Sequence, residues 1–201
     1  MSKKVWIKEH LDEGLVFLKG NVRGKCYIEY IPAECTWAPI DADGYMYIDC
    51  LWIAGQFKGH GYSNLLLEEC IKDSRSKGKK GLVISSSIKK MGFLSDPKYL
   101  RHKGFETVDT ADPIFELMYL PFEKNTSKPQ FKPHVKEKNK NVPQNGFSLY
   151  YTKQCPFTAK YVPLLEKVAE LKKRRFSINT HQYKRESSEC TFPIHYIQPI
   201  L

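Results

Sequence analysis

Apolar and polar positions follow two periods in the first part of the chain. Residues 24–32 and 45–53 are rich in β-branched and aromatic side chains bounded by Pro, Gly and Asp, which predicts strands. Residues 62–77 repeat apolar side chains every three or four positions, which predicts an amphipathic helix ending at Gly78. The apolar run 81–86 then predicts a strand parallel to the one before the helix, as in a βαβ unit.

The alternation of helices and strands continues to residue 122. Residues 99–103 predict the end of a short helix stopped by Gly104. Residues 105–109 and 114–120 predict two closing strands, and no segment repeats another. We therefore expect an α/β fold.

Composition changes after residue 122. Residues 123–145 contain three prolines, six lysines and only three large apolar residues, which cannot bury enough surface to fold alone. Strands are predicted again at 146–151 and 176–183, on either side of a helix reaching about residue 175. The sequence predicts a domain, a linker and a second segment, at 1–122, 123–145 and 146–201.

The net charge of +10 is concentrated in the last part of these 201 residues. Residues 1–122 hold 17 Lys and Arg against 16 Asp and Glu, so this domain is nearly neutral. The excess lies in the linker and the second segment, without the interleaved aromatic side chains of a nucleic-acid surface. We interpret the excess positive charge as solvent-exposed lysine and arginine side chains, and we expect no nucleic-acid partner.

Cysteine spacing and hydropathy indicate the cellular compartment of the protein. The six cysteines contain no C-x-x-C pair, so neither a structural zinc site nor a disulfide scaffold is indicated, and we expect no metal and reduced thiols. No apolar run approaches the about 18 residues needed to span a bilayer. A cytoplasmic protein is expected, and a homodimer is compatible with the sequence.

The loop between the second strand and the helix carries the most specific chemistry. Gln56, Gly59 and Gly61 form a Q-x-x-G-x-G pattern directly before the helix. Glycines let backbone amides approach an anion, and a helix amino end adds partial positive charge, so the loop suits a phosphate. Lys58 and His60 could add charge. The pattern is neither a P-loop nor a dinucleotide fingerprint, and a flexible turn is the alternative.

Three runs together resemble a known enzyme family. Residues 47–53, the loop 56–61 and the leucines 65–67 resemble the acetyl-CoA motif of the GCN5-related N-acetyltransferases (GNAT), and residues 99–106 resemble the family's Y-x-x-x-G-F-like run. The resemblance covers about residues 24–122. It implies a mixed central sheet flanked by helices, acetyl-CoA as cofactor, and a strand that diverges from its neighbour to expose amides for pantetheine. By position, the cofactor-binding residues are Leu51, Trp52, Ile53, Gln56, Phe57, Lys58, Gly59, His60, Gly61 and Tyr62.

The resemblance also implies acetyl transfer to a primary amine by direct attack, which needs a base and a proton donor. Asp49 lies where many family members carry a glutamate base, with an exposed polar residue as the alternative. Glu29 on the preceding strand is a second candidate. The usual tyrosine acid is replaced by Leu100, so Tyr99, one residue earlier and turned by about 100° on a helix, is the candidate donor, with packing as its alternative.

Residues 146–201 resemble the start of a thioredoxin-like fold. Cys155 follows a strand at a helix start, where a thiolate is favoured, and Pro193 stands where that fold has its cis proline. An acetyltransferase with such a tail resembles those with a YoaP-like carboxyl-terminal domain. Thr158 replaces the second redox cysteine and the chain stops early, so the segment is expected to be incomplete. A half-buried structural thiol is the alternative for Cys155.

Three functional hypotheses follow. The first is an acetyl-CoA-dependent N-acetyltransferase that acts on a small-molecule or peptide amine. The second is a non-catalytic acyl-CoA-binding or sensor module, because the usual tyrosine is absent and the amino end is short. The third is a thiol-redox protein acting through Cys155.

Overall fold

The structure is a computed structural model that describes residues 3–136, 147–151, 154–171, 178–182 and 199–200. By compactness the chain forms two units. The larger unit contains residues 11–137 with 190–201, and the smaller contains residues 1–10 with 138–189. The domain limits predicted from the sequence stay a prediction.

The described strands are β1 (Val16–Gly20), β2 (Cys26–Pro32), β3 (Ile40–Asp41), β4 (Met46–Ile53), β5 (Gly81–Ser87), β6 (Glu106–Ala111), β7 (Phe115–Pro121), β8 (Gln130–Phe131), β9 (Phe147–Tyr151), β10 (Ile178–Gln182) and β11 (Pro199–Ile200). The described α-helices are α1 (Lys3–His10), α2 (Tyr62–Ser76), α3 (Pro97–His102), α4 (Pro133–Lys136) and α5 (Pro156–Leu171).

A mixed seven-stranded sheet forms the larger unit, in the order β11, β1, β2, β4, β5, β7, β6. The β1–β11 and β4–β5 pairs are parallel and the other neighbours are antiparallel. The α/β fold and the parallel pairing across the β4–α2–β5 unit are therefore confirmed. The sequence does not predict β1 and α1. Because β1 has only five residues and α1 only eight, the apolar pattern of each is too short to show a clear period.

Helix α2 covers one face of the sheet. Gly61 before it and Gly78 after it both adopt left-handed backbone conformations, with φ of 79° and 66°, so the predicted bounds of this helix are confirmed. Its buried Leu66 and Leu67 pack with Ile28 and other strand residues in the main core. A helix this firmly packed fixes the direction of the loop that precedes it.

The opposite face of the sheet carries a second core. Tyr45, Tyr47 and Val83 pack there with Phe131, which belongs to the segment predicted as a linker. The two-residue strand β8 pairs with β3, and Phe131 donates its backbone N–H to Asp109 at 2.8 Å. The beginning of residues 123–145 is therefore anchored to the sheet by one aromatic side chain and a carboxylate.

The segment that closes the larger unit matches the sequence prediction. Asp96 caps α3 by accepting the backbone N–H of Lys98, and Gly104 ends it with φ of 86°. β6 and β7 follow as an antiparallel pair. Leu100 of α3 is fully buried, so it packs in the core rather than facing a substrate.

The smaller unit contains a parallel βαβ arrangement of β9, α5 and β10, as predicted for residues 146–183. Helix α1 belongs to the same unit, where Lys3 donates to the carbonyl of Gln154 at 3.0 Å. Cys155 is exposed immediately before α5. The thioredoxin-like identity of this unit stays a prediction, and Pro193 lies outside the described residues.

Cys35 is disulfide-bonded, so the expectation of reduced thiols is wrong at this position, whereas Cys26, Cys50, Cys70 and Cys155 are free. Among the described residues, no cluster of three His, Cys, Asp or Glu side chains could hold a metal ion. None of the described helices combines the length and apolarity needed to cross a bilayer.

Candidate active site

Strands β4 and β5 pair only at their beginnings. Met46 lies beside Leu82 and Tyr47 beside Val83, and the described ladder contains no further pair between these strands. β5 nevertheless continues to Ser87 in full register with β7, and β4 continues to Ile53 in register with β2. The two parallel strands therefore diverge and leave a slot between them, as the family resemblance implied.

One edge of β4 is available along this slot. Ala54 donates its backbone N–H to Lys25 on the β2 side, at 2.8 Å. Because donors alternate along a strand, Trp52 also points its N–H toward β2, whereas Leu51 and Ile53 point theirs toward the slot. An extended amide-containing ligand could pair with this edge as an added strand.

The loop after β4 ends in two glycines with positive φ, 80° at Gly59 and 79° at Gly61. A Cβ placed on either would meet no atom within 4 Å, so the space beside them is open. Within the described part of the chain, no backbone carbonyl accepts a hydrogen bond from the N–H groups of residues 59–63. Open space, amides without a backbone acceptor and a helix amino end are together features that could hold an anion.

The aromatic side chain of Phe57 anchors this loop to the sheet. Its ring packs against the main core and lies edge-on to Tyr62, with centroids 6.0 Å apart. A Cβ on Gly24, in the turn between β1 and β2, would come within 2.7 Å of the ring. Phe57 thus holds the loop in place, while Gln56, Lys58 and His60 are exposed.

A β-bulge lies at Asp49, two residues beyond the last residue of β4 that pairs with β5. Cys50 pairs with Glu29 and Ile48 pairs with Tyr30, so Asp49 is the extra residue in β4. Glu29 is fully buried beside the bulge, and Asp49 is half-buried. Two carboxyl groups therefore occupy neighbouring positions of the β2–β4 ladder, where a bulge re-aims side chains.

Both carboxyl groups lie on the face opposite α2. Residues two apart in a strand lie on the same face. Glu29 is two residues from Ile31, which pairs with Tyr47 of the second core, and Asp49 is two residues from Tyr47. Burial raises the pKa of Tyr47, and the charge of Asp49 raises it further. This electrostatic effect on Tyr47 is consistent with the two side chains lying on the same side of the sheet.

Tyr99 lies on the other face, with α2. It packs against the main core, and its hydroxyl donates to the carbonyl of Ser63 in the first turn of α2, at 3.2 Å. Burial raises the pKa of Tyr99, an effect opposed by this hydrogen bond and reinforced by Glu68. The hydroxyl therefore stays protonated at neutral pH, and it lies beside the first turn of α2, just after the end of the glycine loop.

The ten residues predicted to bind the cofactor form one continuous path. Leu51, Trp52 and Ile53 end β4, residues 56–61 form the loop, and Tyr62 begins α2. The structure brings Asp49 and Glu29 together, whereas Tyr99 is separated from them by the sheet. Sequence reasoning missed Ser85, which accepts a hydrogen bond from Tyr47 at 3.0 Å, although the serine run ending the predicted strand was a visible signal.

A curated protein resembles this chain over most of its length. No protein-family model matches the chain. A protein described as an uncharacterized N-acetyltransferase, YoaP of Bacillus subtilis strain 168, is 38% identical over 188 residues, which cover 94% of this chain and 74% of YoaP.

Solved structures resemble parts of the chain at low identity. An acetyltransferase from Bacillus cereus ATCC 14579 shares 14% identity over 56% of this chain and 78% of its own, with a TM-score of 0.40. A GNAT-family acetyltransferase from Brucella melitensis, solved with acetyl-CoA, shares 18% over 51% and 53%, with a TM-score of 0.33. The chain spans 59% and 56% of two further matched structures. On its identity with YoaP over most of both proteins, this chain belongs to the GCN5-related N-acetyltransferase family.

Proposed function

We propose that the protein is an acetyl-CoA-dependent N-acetyltransferase that acetylates a primary amine by direct attack. The observation that carries the proposal is the divergence of β4 from β5 after two residue pairs, followed directly by the open glycine loop. A strand edge and an anion site occur there in consecutive segments. Pantetheine carries amides and joins a pyrophosphate, so both parts of one ligand fit in chain order.

The residues present fit acetyl-CoA. Leu51 and Ile53 would pair with the pantetheine amides, and the N–H groups of residues 59–63 would hold the pyrophosphate. The open space at Gly59 and Gly61 is space that a Cβ would fill. When bound, acetyl-CoA supplies the activated acetyl thioester.

The carboxyl pair at the bulge would remove the proton from the amine. Asp49 is the first candidate because it is the bulged residue and is half-buried, so it can face a substrate. Glu29 is fully buried and would act as the base through a proton relay or position Asp49. Either residue acts from the face opposite α2.

Tyr99 would protonate the departing thiolate from the face of α2. Its raised pKa keeps the hydroxyl protonated at neutral pH, and the hydroxyl would exchange its hydrogen bond to Ser63 for one to the sulfur. Base and acid on opposite faces of the sheet suit direct transfer, because the amine would enter on one side of the slot and the thiol would leave on the other. A small-molecule or peptide amine remains the proposed acceptor class.

A thiol-release assay tests the proposal. The full chain is incubated with acetyl-CoA and a panel of polyamines, amino acids, peptides and aminoglycosides, and free CoA is measured. Amine-dependent release supports the proposal. Binding of acetyl-CoA without release for any amine favours the sensor hypothesis instead.

The Cys155→Ser variant serves as the control, because Cys155 is exposed in the smaller unit. Undiminished release by this variant is expected. Loss of release would favour chemistry through that thiol.

A further inference from the structure

The loop between β5 and α3, residues 88–95, has an unusual apolar surface. Phe93 is 69% exposed and Ile88 is 56% exposed, the two highest values among the exposed large hydrophobic residues described. These two residues lie in the same eight-residue connection, which also contains exposed Lys89 and Lys90. Exposed apolar side chains on such a loop are available to contact a ligand that binds beside it.

The base of this loop is fixed by buried groups. Ser86 donates its hydroxyl to the carbonyl of Ser95 at 2.8 Å, and Ser87 donates to the carbonyl of Lys89 at 2.6 Å. Both serines are fully buried at the end of β5. Lys90 also pairs with Asp96, the cap of α3, at 2.9 Å. Both ends of the loop are therefore held by polar contacts, while the side chain of Phe93 is exposed to solvent.

The anchoring elements place the loop at the mouth of the slot. It begins at the carboxyl end of β5, one of the two strands that diverge, and it leads into α3. Tyr99 of α3 in turn bonds to Ser63 in the first turn of α2. Ligands of open α/β sheets bind outside the carboxyl ends of diverging parallel strands. Residues 88–95 and the glycine loop follow these two strands and so flank the same opening.

We propose that residues 88–95 form a strap that closes over the acyl-pantetheine arm, with Phe93 as its apolar contact. This inference rests on the proposed acetyl-CoA site. The glycine loop would hold the phosphates, while the strap would cover the apolar and amide part of the same ligand. Closure would exclude water from the thioester.

Limited trypsin digestion with mapping of the cleavage sites tests the strap. Lys58 lies in the glycine loop (residues 56–61), Lys89 and Lys90 lie in the strap, and exposed Lys124 lies in neither segment. Saturating acetyl-CoA is expected to slow cleavage about fivefold or more after Lys58 and after Lys89 and Lys90, but not after Lys124.

The outcomes separate the two proposals. Protection at Lys58 without protection at Lys89 and Lys90 would overturn the strap and leave the cofactor site intact. Protection at none of these lysines would overturn both.

Substitution of Phe93 gives an independent test. Phe93→Ser should weaken acetyl-CoA binding about tenfold, and Phe93→Leu should restore most of the affinity, because removal of apolar contact area is the only expected effect. Adenosine 3′,5′-bisphosphate, which lacks the pantetheine arm, should bind both variants and the parent equally. Equal acetyl-CoA affinity for Phe93→Ser and the parent would contradict the strap.

Discussion

The hydroxyl of Tyr47 donates to the Oγ of Ser85 at 3.0 Å, across the point where β4 and β5 stop pairing. The backbone ladder ends at Tyr47 and Val83, and this side-chain bond continues the connection by two residues on β5. Its donor is buried and lies on the face of the two carboxyl groups. The bond therefore lies at the beginning of the slot.

Removing this hydrogen bond should weaken the larger unit. Tyr47→Phe is expected to lower the free energy of unfolding by about 1 kcal/mol, since a typical buried hydrogen bond contributes that much. Urea unfolding of Tyr47→Phe, Ser85→Ala and the double variant measures it. The double variant should lose less than the sum of the single losses, and strict additivity would show that the two hydroxyl groups are not coupled.

Gly61 should be needed for ligand binding rather than for folding alone. Gly61→Leu places a side chain in the open space beside the loop amides and should weaken acetyl-CoA binding at least about tenfold. Gly78→Leu is the matched control, because Gly78 ends the same helix with positive φ and similar open space. Both variants should lose about 1 to 2 kcal/mol of stability. Equal acetyl-CoA affinities measured by calorimetry would remove Gly61 from the site.

Asp49 should carry the proton transfer. Asp49→Asn is expected to lower the turnover rate about 10²- to 10⁴-fold in the thiol-release assay, with little change in acetyl-CoA affinity. Asp43→Asn, a change of the same kind at an exposed turn position, should leave the rate unchanged. An active Asp49→Asn together with an inactive Glu29→Gln would assign the base to Glu29 instead.

Asp109 should make stability depend on pH. Burial acts to raise its pKa, but hydrogen bonds from Lys136 and from the backbone N–H groups of Phe131 and Thr110 outweigh burial and lower it. The contribution is therefore complete above the unfolded pKa of about 3.9 and is lost as pH falls through the lower folded value. Asp109→Asn should cost about 1.5 to 3 kcal/mol at pH 7 in urea unfolding. The difference from the parent should shrink below about pH 4, and a difference independent of pH would contradict this role.

Local patterns predicted most of the elements around the site. The turn glycines Gly78 and Gly104 marked helix ends because positive φ favours glycine, and the Gln56–Gly61 pattern marked the loop because it lies between a strand and a helix. These signals need only neighbouring residues. For that reason β4, the loop and α2 could be predicted from the sequence.

The remaining features depend on contacts between distant residues. The bulge at Asp49 is set by its pairing with Glu29 and Tyr30, and periodicity in β4 alone does not show it. The anchoring of Phe131 depends on Asp109, 22 residues earlier. The placement of Tyr99 against Ser63 likewise follows from the packing of α3 on α2.

Calorimetric titration of acetyl-CoA into the full chain, with desulfo-CoA and ATP as comparisons, measures whether the slot and glycine loop bind the cofactor. We expect binding at about micromolar concentration for acetyl-CoA and desulfo-CoA, because both carry pantetheine and pyrophosphate, and none for ATP at the same concentration. Absence of acetyl-CoA binding at millimolar concentration would show that the slot and glycine loop are not a cofactor site.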